Sequence, residues 1–330
     1  VRGLQALNDP LGSKAVPEAG EARRSLRSVD ARRNEPLRTP WAAAIARRAR
    51  GIVVHADFGR RYLQEMGCRT PVYVVPHPPV EPPEAIARAA SRGPTIRAKV
   101  EAQGCRLLVV APGEVNEAKR LETVFAALGS LPTDVHLAVV GRPVSTWDIG
   151  AARGRHELGD RLHVVLDAAD DDFLGWIHAA DVVVDLRHPH RGEVSGSLAR
   201  AMQIGRPTIV SATGTYLDEP EGTVLTIGAG PGDPGELAER IHVLGQDPAL
   251  RAAIGERARA YMEELRTREA TAHGYVEAIR GTRAILRDPT GPTMARWARA
   301  LGDIGVRQPE LDLGYGVRYA RALESFKGTP

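Results

Sequence analysis

Residues 187–211, RHPHRGEVSGSLARAMQIGRPTIVS, place a carboxylate, Glu193, two positions ahead of a small-residue turn at Ser195, Gly196 and Ser197. That turn opens an amphipathic helix, which leads into a buried strand. The first turn of a helix leaves backbone N–H groups unpaired and carries the positive end of the dipole, so it suits a phosphate group. A carboxylate just outside such a site repels bare phosphate and favours something neutral and hydroxylated attached to it. A sugar nucleotide has both parts. A second segment, APGEVNEAKRLETVFAAL at 111–128, ends an apolar strand at Ala111, turns at Gly113 and puts Lys119 where a helix is expected to begin. Lysine is a compact point charge suited to phosphate, and here it is expected to swing toward the same crevice as the 195–197 turn.

These loops need a scaffold, and the apolar runs describe one. Residues 106–111, 135–140, 162–166, 181–186, 207–211 and 223–227 read as strands, with helical segments at 120–129, 171–179 and 197–204 between them. Continuous apolar strands joined by helices predict a parallel sheet covered on both faces, a doubly wound α/β domain with right-handed crossovers. Such sheets bind ligands at the carboxyl ends of their strands, where the loops beginning at Pro112, Gly141, Asp167 and Arg187 must lie. Upstream, Thr39 and Pro40 open the helical run WAAAIARRAR and Gly51 closes it. IVVH at 52–55 and VYVV at 72–75 read as strands, with a helix capped by Asp57 between them. PHPP at 76–79 breaks the pattern and reads as a linker. From Glu236 the chain reads as helical. The expected organisation is 1–76, 77–280 and a tail, 281–330, whose apolar positions, Trp297 and Tyr319 among them, would pack back on the body.

A chain of 330 residues that is 43% hydrophobic can bury a large core. Its longest apolar runs have strand length, so no transmembrane helix is predicted. Cys68 and Cys105 lack metal-ligand spacing and read as two buried thiols in a reducing cytoplasmic compartment, with a disulfide left open. The chain starts at Val1 without a signal-peptide pattern, which reads as truncation or processing. Residues 1–61 hold 13 Lys or Arg against 6 Asp or Glu, a balance of +7 in a chain of net charge +3. That basic portion suits peripheral contact with the inner face of a membrane or a polyanionic acceptor, and equally a plain solvated helix face. No nucleic-acid partner is expected.

From about Ile52 to Ile279 the chain resembles the carboxyl-terminal half of the retaining, nucleotide-sugar-dependent glycosyltransferases of the GT-B fold, the group 1 or family 4-like enzymes. The resemblance rests on VVPHPP at 74–79, Gly113 followed six residues later by Lys119, and VVG at 139–141. HAADVVVDL at 178–186, Glu193 with its small-residue turn, AMQIGRPTIVS at 201–211 and the ELAERI helix follow in order. It implies a GT-B-like fold: a nucleotide-sugar domain, part of a first domain, and carboxyl-terminal helices.

The resemblance also implies roles. Lys119 and Glu193 would be catalytic, with Lys119 neutralising the donor diphosphate and Glu193 meeting the hydroxyls of the transferred sugar. Gly113, Glu114, Arg120, Ser195, Gly196 and Ser197 would surround the diphosphate, while Gly141, Arg142, Asp167, Ala168 and Arg200 would lie at the nucleotide and ribose. No metal and no cofactor is implied, because lysine and the helix dipole take the place of a divalent cation. The partners would be a nucleotide-sugar donor and a glycan, lipid-linked or small-molecule acceptor.

Two positions depart from the pattern. Glu114 stands where the family has arginine, and Arg200 stands where many members have a ribose-binding glutamate. Most of the first, acceptor-side domain has no counterpart in this chain. A non-catalytic binding or scaffold protein on the same fold is therefore the second reading, and a sugar-nucleotide epimerase or a phosphorylase is a third. Three further features read as structural. GAGPGDPG at 228–235 is expected to be a strand-to-helix loop, Asp170–Asp172 to cap a helix and pair with its dipole, and His188 and His190 to be solvent-facing loop residues.

Overall fold

A computed structural model describes Ala46 and residues 48–143, 148–190, 192–228 and 234–286. Most of the helix expected from Thr39, the tail beyond 286 and most of the 228–235 loop lie outside those residues; Ala46 and Arg48 are helical. The chain divides into two units, one of Pro36–Ala278 and one of Val1–Glu35 with Ile279–Pro330. Among the described residues, all the strands, and the helices between Ile52 and Glu264, belong to the Pro36–Ala278 unit.

Two short parallel strands come first, β1 (Ile52–Val54) and β2 (Val72–Val74), with α1 (Asp57–Glu65) between them. The expected cap at Asp57 is corrected: Asp57 is already helical, Ala56 holds the cap position, and the Asp57 carboxylate pairs with Arg60 and Arg61 one turn on. After the proline-rich linker comes α2 (Pro83–Glu101), a 19-residue helix.

The main sheet then begins. It holds β3 (Leu107–Pro112), β4 (Val135–Gly141), β5 (Leu162–Leu166), β6 (Val182–Asp185), β7 (Thr208–Ser211) and β8 (Leu225–Ile227). All pairs are parallel, in the order β5-β4-β3-β6-β7-β8. The crossovers carry α3 (Leu121–Gly129), α4 (Ile149–His156), α5 (Asp170–Ala179) and α6 (Gly196–Ile204). Three further helices come after β8: α7 (Pro234–Gln246), α8 (Pro248–Glu264) and α9 (Arg268–Leu286).

The side-chain period of two divides the core between the two faces of the sheet. Leu107 and Val109 of β3 pack with Phe125 of α3 and Leu237 of α7, whereas Leu108 and Val110 face Ile177 of α5 and Ala201 of α6. Phe125 is fully buried, so its truncation to alanine would cost about 3–5 kcal/mol through lost transfer energy and the cavity left behind. Burial on both faces is why these strands read as unbroken apolar runs rather than alternating ones.

Helix α2 does not announce itself in the sequence, because Gly93 and Pro94 stand inside it and both weaken a helical pattern. Packing compensates. Ala85, Ala89 and Gly93 form a small-residue face buried against α5, and a side chain on Gly93 would collide with the His178 ring. The aspartates at the start of α5 do not cap it. Ala169 holds the cap position without a side-chain bond, while Asp171 accepts from Arg88 at 3.0 Å and Asp172 from Arg92 at 2.5 Å. They stand in the first turn, where negative charge suits the dipole, and they tie α2 to α5.

Both cysteines are free thiols. Cys105 is buried, which pushes its pKa up to about 11, and Cys68 is half-buried rather than buried as expected. Among the described residues no helix is long and apolar enough to cross a membrane.

Candidate functional site

The strand order reverses between β3 and β6. The chain leaves β3 toward β4 and β5 on one side, then returns to build β6, β7 and β8 on the other. Loops leaving neighbouring strands at such a point diverge and open a crevice at the carboxyl edge of the sheet. Both chemistry-bearing segments are at that place. The loop after β3 carries Gly113 to Arg120, and the loop after β6 carries Arg187 to Ser195.

Close backbone approach builds the floor. Gly113 has φ +113°, a conformation that favours glycine, and donates to Val140 O at 2.9 Å. A Cβ on Gly141 would overlap the Gly113 carbonyl oxygen, so β4 must end in glycine for the β3 loop to lie against it. Val115 N donates to Arg142 O at 2.8 Å and Asp167 N to Gly141 O at 2.8 Å, which laces the ends of β3, β4 and β5 together. Asp167 itself has φ +54°. A small niche, with room for about a water molecule, lies beside Gly113, Glu114 and Lys119.

The expected small-residue turn at a helix start is present. Helix α6 begins at Gly196, and Ser195 is its cap, accepting from Leu198 N at 3.3 Å. Ser197 Oγ and Lys119 Nζ both crowd the Gly113 α-carbon: a Cβ there would stand 2.5 Å from the hydroxyl and 3.2 Å from the ammonium. Gly113, Lys119, Ser195, Gly196 and Ser197 are therefore brought to one place by elements far apart in sequence.

Lys119 does not start a helix that swings its side chain outward. It ends a short 3-10 turn, Glu117–Lys119, is 7% exposed, and pairs with the Asp185 carboxylate at the end of β6. Asp185 is fully buried and also accepts from Ser195 Oγ at 2.5 Å and Tyr216 Oη at 2.9 Å. Burial alone would raise its pKa, but the charges of Lys119 and Arg187 outweigh burial and hold it below the ordinary carboxylate value.

Glu193 pairs with Arg187, whose backbone N–H donates to Ser211 Oγ at 3.0 Å. Burial works to raise the Glu193 pKa; its own backbone N–H and the Arg187 charge outweigh that and lower it. His190 corrects the expectation of a solvent-facing ring. It is 6% exposed, lies 3.1 Å from Thr215 Oγ1 and accepts from Gly192 N at 2.9 Å, and burial lowers its pKa. His188 is exposed, as expected.

Other expected residues are spread around this centre. Arg120, at φ +52°, sends its guanidinium to Ser211 Oγ (3.1 Å) and Gly228 O (2.8 Å), toward the ends of β7 and β8 rather than alongside Lys119. Glu114 is exposed and accepts from Asn116 at 3.3 Å. Arg200 pairs with Glu81 at 2.6 Å ahead of α2, stacks over Phe173, and brings its Nη1 close to Gly196. Arg142 and Asp167 are exposed at the ends of β4 and β5, with Ala168 half-buried beside them.

Sequence reasoning missed Asp185 and Tyr216. The available signal was a carboxylate closing the run VVVD, since a charge at the end of a strand buried on both faces must be paired.

No protein-family model and no curated protein matches the chain. Solved structures do. Sucrose-phosphate synthase from Thermosynechococcus elongatus superposes with a TM-score of 0.61 at 24% identity, over 81% of this chain and 66% of that one. Anabaena HepE in complex with UDP-glucose gives 0.59 at 17%, over 74% and 66%. WaaG, a glycosyltransferase involved in lipopolysaccharide biosynthesis, gives 0.55 at 19%, over 68% and 61%. The chain has a GT-B glycosyltransferase fold. It spans about two thirds of the length of these structures or slightly less. On this GT-B sheet, the switch point between β3 and β6 is where the Lys119, Gly113 and Ser195–Ser197 cluster stands.

Proposed function

We propose that the chain takes part in transferring a hexose-like sugar from a nucleoside diphosphate sugar to a hydroxyl acceptor, with retention at the anomeric carbon. The observation that carries this reading is the convergence of Lys119, the Gly113 turn and the α6 start at the switch point of the sheet. HepE, on the same fold, binds UDP-glucose.

In the reaction, the bond from the anomeric carbon to the diphosphate oxygen breaks and a bond to the acceptor oxygen forms on the same face. The acceptor proton leaves with the diphosphate oxygen. Negative charge grows on the departing diphosphate, so groups already aimed at that position lower the barrier. The Lys119 ammonium and the backbone N–H groups of Gly196 and Ser197 have that role here, supplying positive charge without a metal. Glu193, held by Arg187 at the mouth of the α6 turn, meets sugar hydroxyls. Gly141, Arg142, Asp167, Ala168 and Arg200 form the nucleotide side, with Arg200 braced by Glu81. The acceptor is a glycan, a lipid-linked sugar or a small molecule, reached from a cytoplasmic position that includes the inner membrane face.

The test is calorimetric titration with UDP-, GDP-, ADP- and dTDP-sugars, followed by NMR of the donor that binds during its slow hydrolysis. The reading expects binding by one of them and a first-formed free sugar of the donor's own anomeric configuration. A sugar released with inverted configuration contradicts retention. Binding without turnover on any acceptor class or on water would favour the non-catalytic reading.

A further inference from the structure

We propose that Asp185 is a positioning residue for the diphosphate-binding elements, fixing the Lys119 ammonium and the α6 start in one arrangement through a single buried carboxylate. The inference rests on the donor-site reading above and goes beyond it, because Asp185 belongs to neither anion-binding segment.

Asp185 ends a strand whose other residues, Val182, Val183 and Val184, are all buried and apolar. A carboxylate in such a place is costly unless every oxygen is paired. Here both are. One oxygen meets Lys119 Nζ, and the other accepts from Ser195 Oγ at 2.5 Å and Tyr216 Oη at 2.9 Å. Ser195 is also the cap of α6, so the carboxylate that fixes the lysine fixes the turn that begins the helix. Tyr216, 2% exposed, supports it from the 3-10 turn after β7.

The consequence for Lys119 is specific. A buried lysine with no partner turns its ammonium toward water, and that movement removes it from the Gly113 turn. With Asp185 in place the Lys119 side chain has a fixed partner and stays beside the Gly113 α-carbon. Arg187 and Glu193 pair next to it, so the four groups form a set with no net charge. An incoming diphosphate therefore meets prearranged donors rather than a loose cation.

The test is a double-mutant cycle on the full chain, reading calorimetric affinity for UDP, GDP, ADP and dTDP, with melting curves to establish folding. Asp185→Asn keeps the shape and removes the charge. It is expected to weaken the nucleoside diphosphate that the wild type binds by about tenfold or more, as is Lys119→Met. The double variant is expected to lie within about twofold of Lys119→Met alone, because residues acting through one another are not additive. Tyr216→Phe, which leaves the ion pair, is expected to weaken binding by less than about threefold.

Affinity of Asp185→Asn within about twofold of wild type, or additive losses in the double variant, would overturn the positioning role. Should Asp185→Asn fail to fold, Asp185→Glu replaces it. That variant keeps the charge but displaces it by a methylene, with the same tenfold loss expected and near-wild-type binding contradicting the proposal. If none of the four diphosphates binds the wild type, the donor-site reading itself fails and takes this inference with it.

Discussion

The Lys119 ammonium and the Asp185 carboxylate form an ion pair across the boundary between β3 and β6, with side chains 8% and 0% exposed. The pair joins the two loops that diverge at the switch point, so the site and the fold share one interaction. Lys119→Met leaves Asp185 buried without its counter-charge and is expected to lower unfolding free energy by about 3–5 kcal/mol. Urea denaturation measures it, and a loss below about 1 kcal/mol would show that the pair is a solvent-screened contact instead.

Gly141→Ala tests the floor of the crevice. The added methyl would overlap the Gly113 carbonyl oxygen, and backbone cannot step aside as a flexible side chain can. The expected loss is about 1–3 kcal/mol of stability together with weaker diphosphate binding, read by melting and calorimetry on the same sample. Wild-type values for both would mean that the β3 and β4 loops are not locked together.

Much of this arrangement is legible in the sequence. The run LHVVL predicts β5 at the residues it occupies, 162–166, and the Gly-Ser turn predicts the start of α6 within a residue. Parallel strands buried on both faces declare themselves through unbroken apolar composition, and loops at their carboxyl ends follow. What stays hidden depends on tertiary partners. Helix α2 conceals itself because Gly93 and Pro94 look like breakers until the His178 ring fills the space that Gly93 leaves. Asp185 looks like a polar strand end until Lys119, Ser195 and Tyr216 surround it. His190 reads as a loop histidine because burial of a loop ring depends on Thr215 and Tyr216, far along the chain.

Gly93→Ala places a carbon against the His178 ring and is expected to push α2 from α5 at a cost of about 1–3 kcal/mol. Since alanine favours a helix over glycine by about 1 kcal/mol, a net stabilisation would show that the ring rotates away freely. Thermal melting decides the sign.

Stability should fall as the medium becomes mildly acidic. Burial leads in holding the pKa values of His136, His163, His178 and His190 below the ordinary 6.5. As the pH drops under 6.5 the unfolded chain takes up protons before the folded one does. Stability is therefore full above 6.5 and is lost toward the folded-state values. His136 and His163 lie 3.0 Å apart, nitrogen to nitrogen, so one must stay unprotonated to accept. Urea midpoints at pH 7.5 and 5.5 should differ in the wild type and differ less in His163→Phe. An unchanged difference would remove His163 from the account.

The central claim is that a nucleoside diphosphate seats on the rim where the Gly113 turn and the start of α6 meet. Amide chemical shifts of the nitrogen-15-labelled chain, followed during titration with UDP, GDP, ADP and dTDP, test it directly. The account predicts that the largest changes fall on the N–H groups of Gly113, Gly196 and Ser197, with smaller ones at Gly141 and Asp167. Shifts that leave these amides still while others move, or no saturable shifts with any of the four, would contradict it.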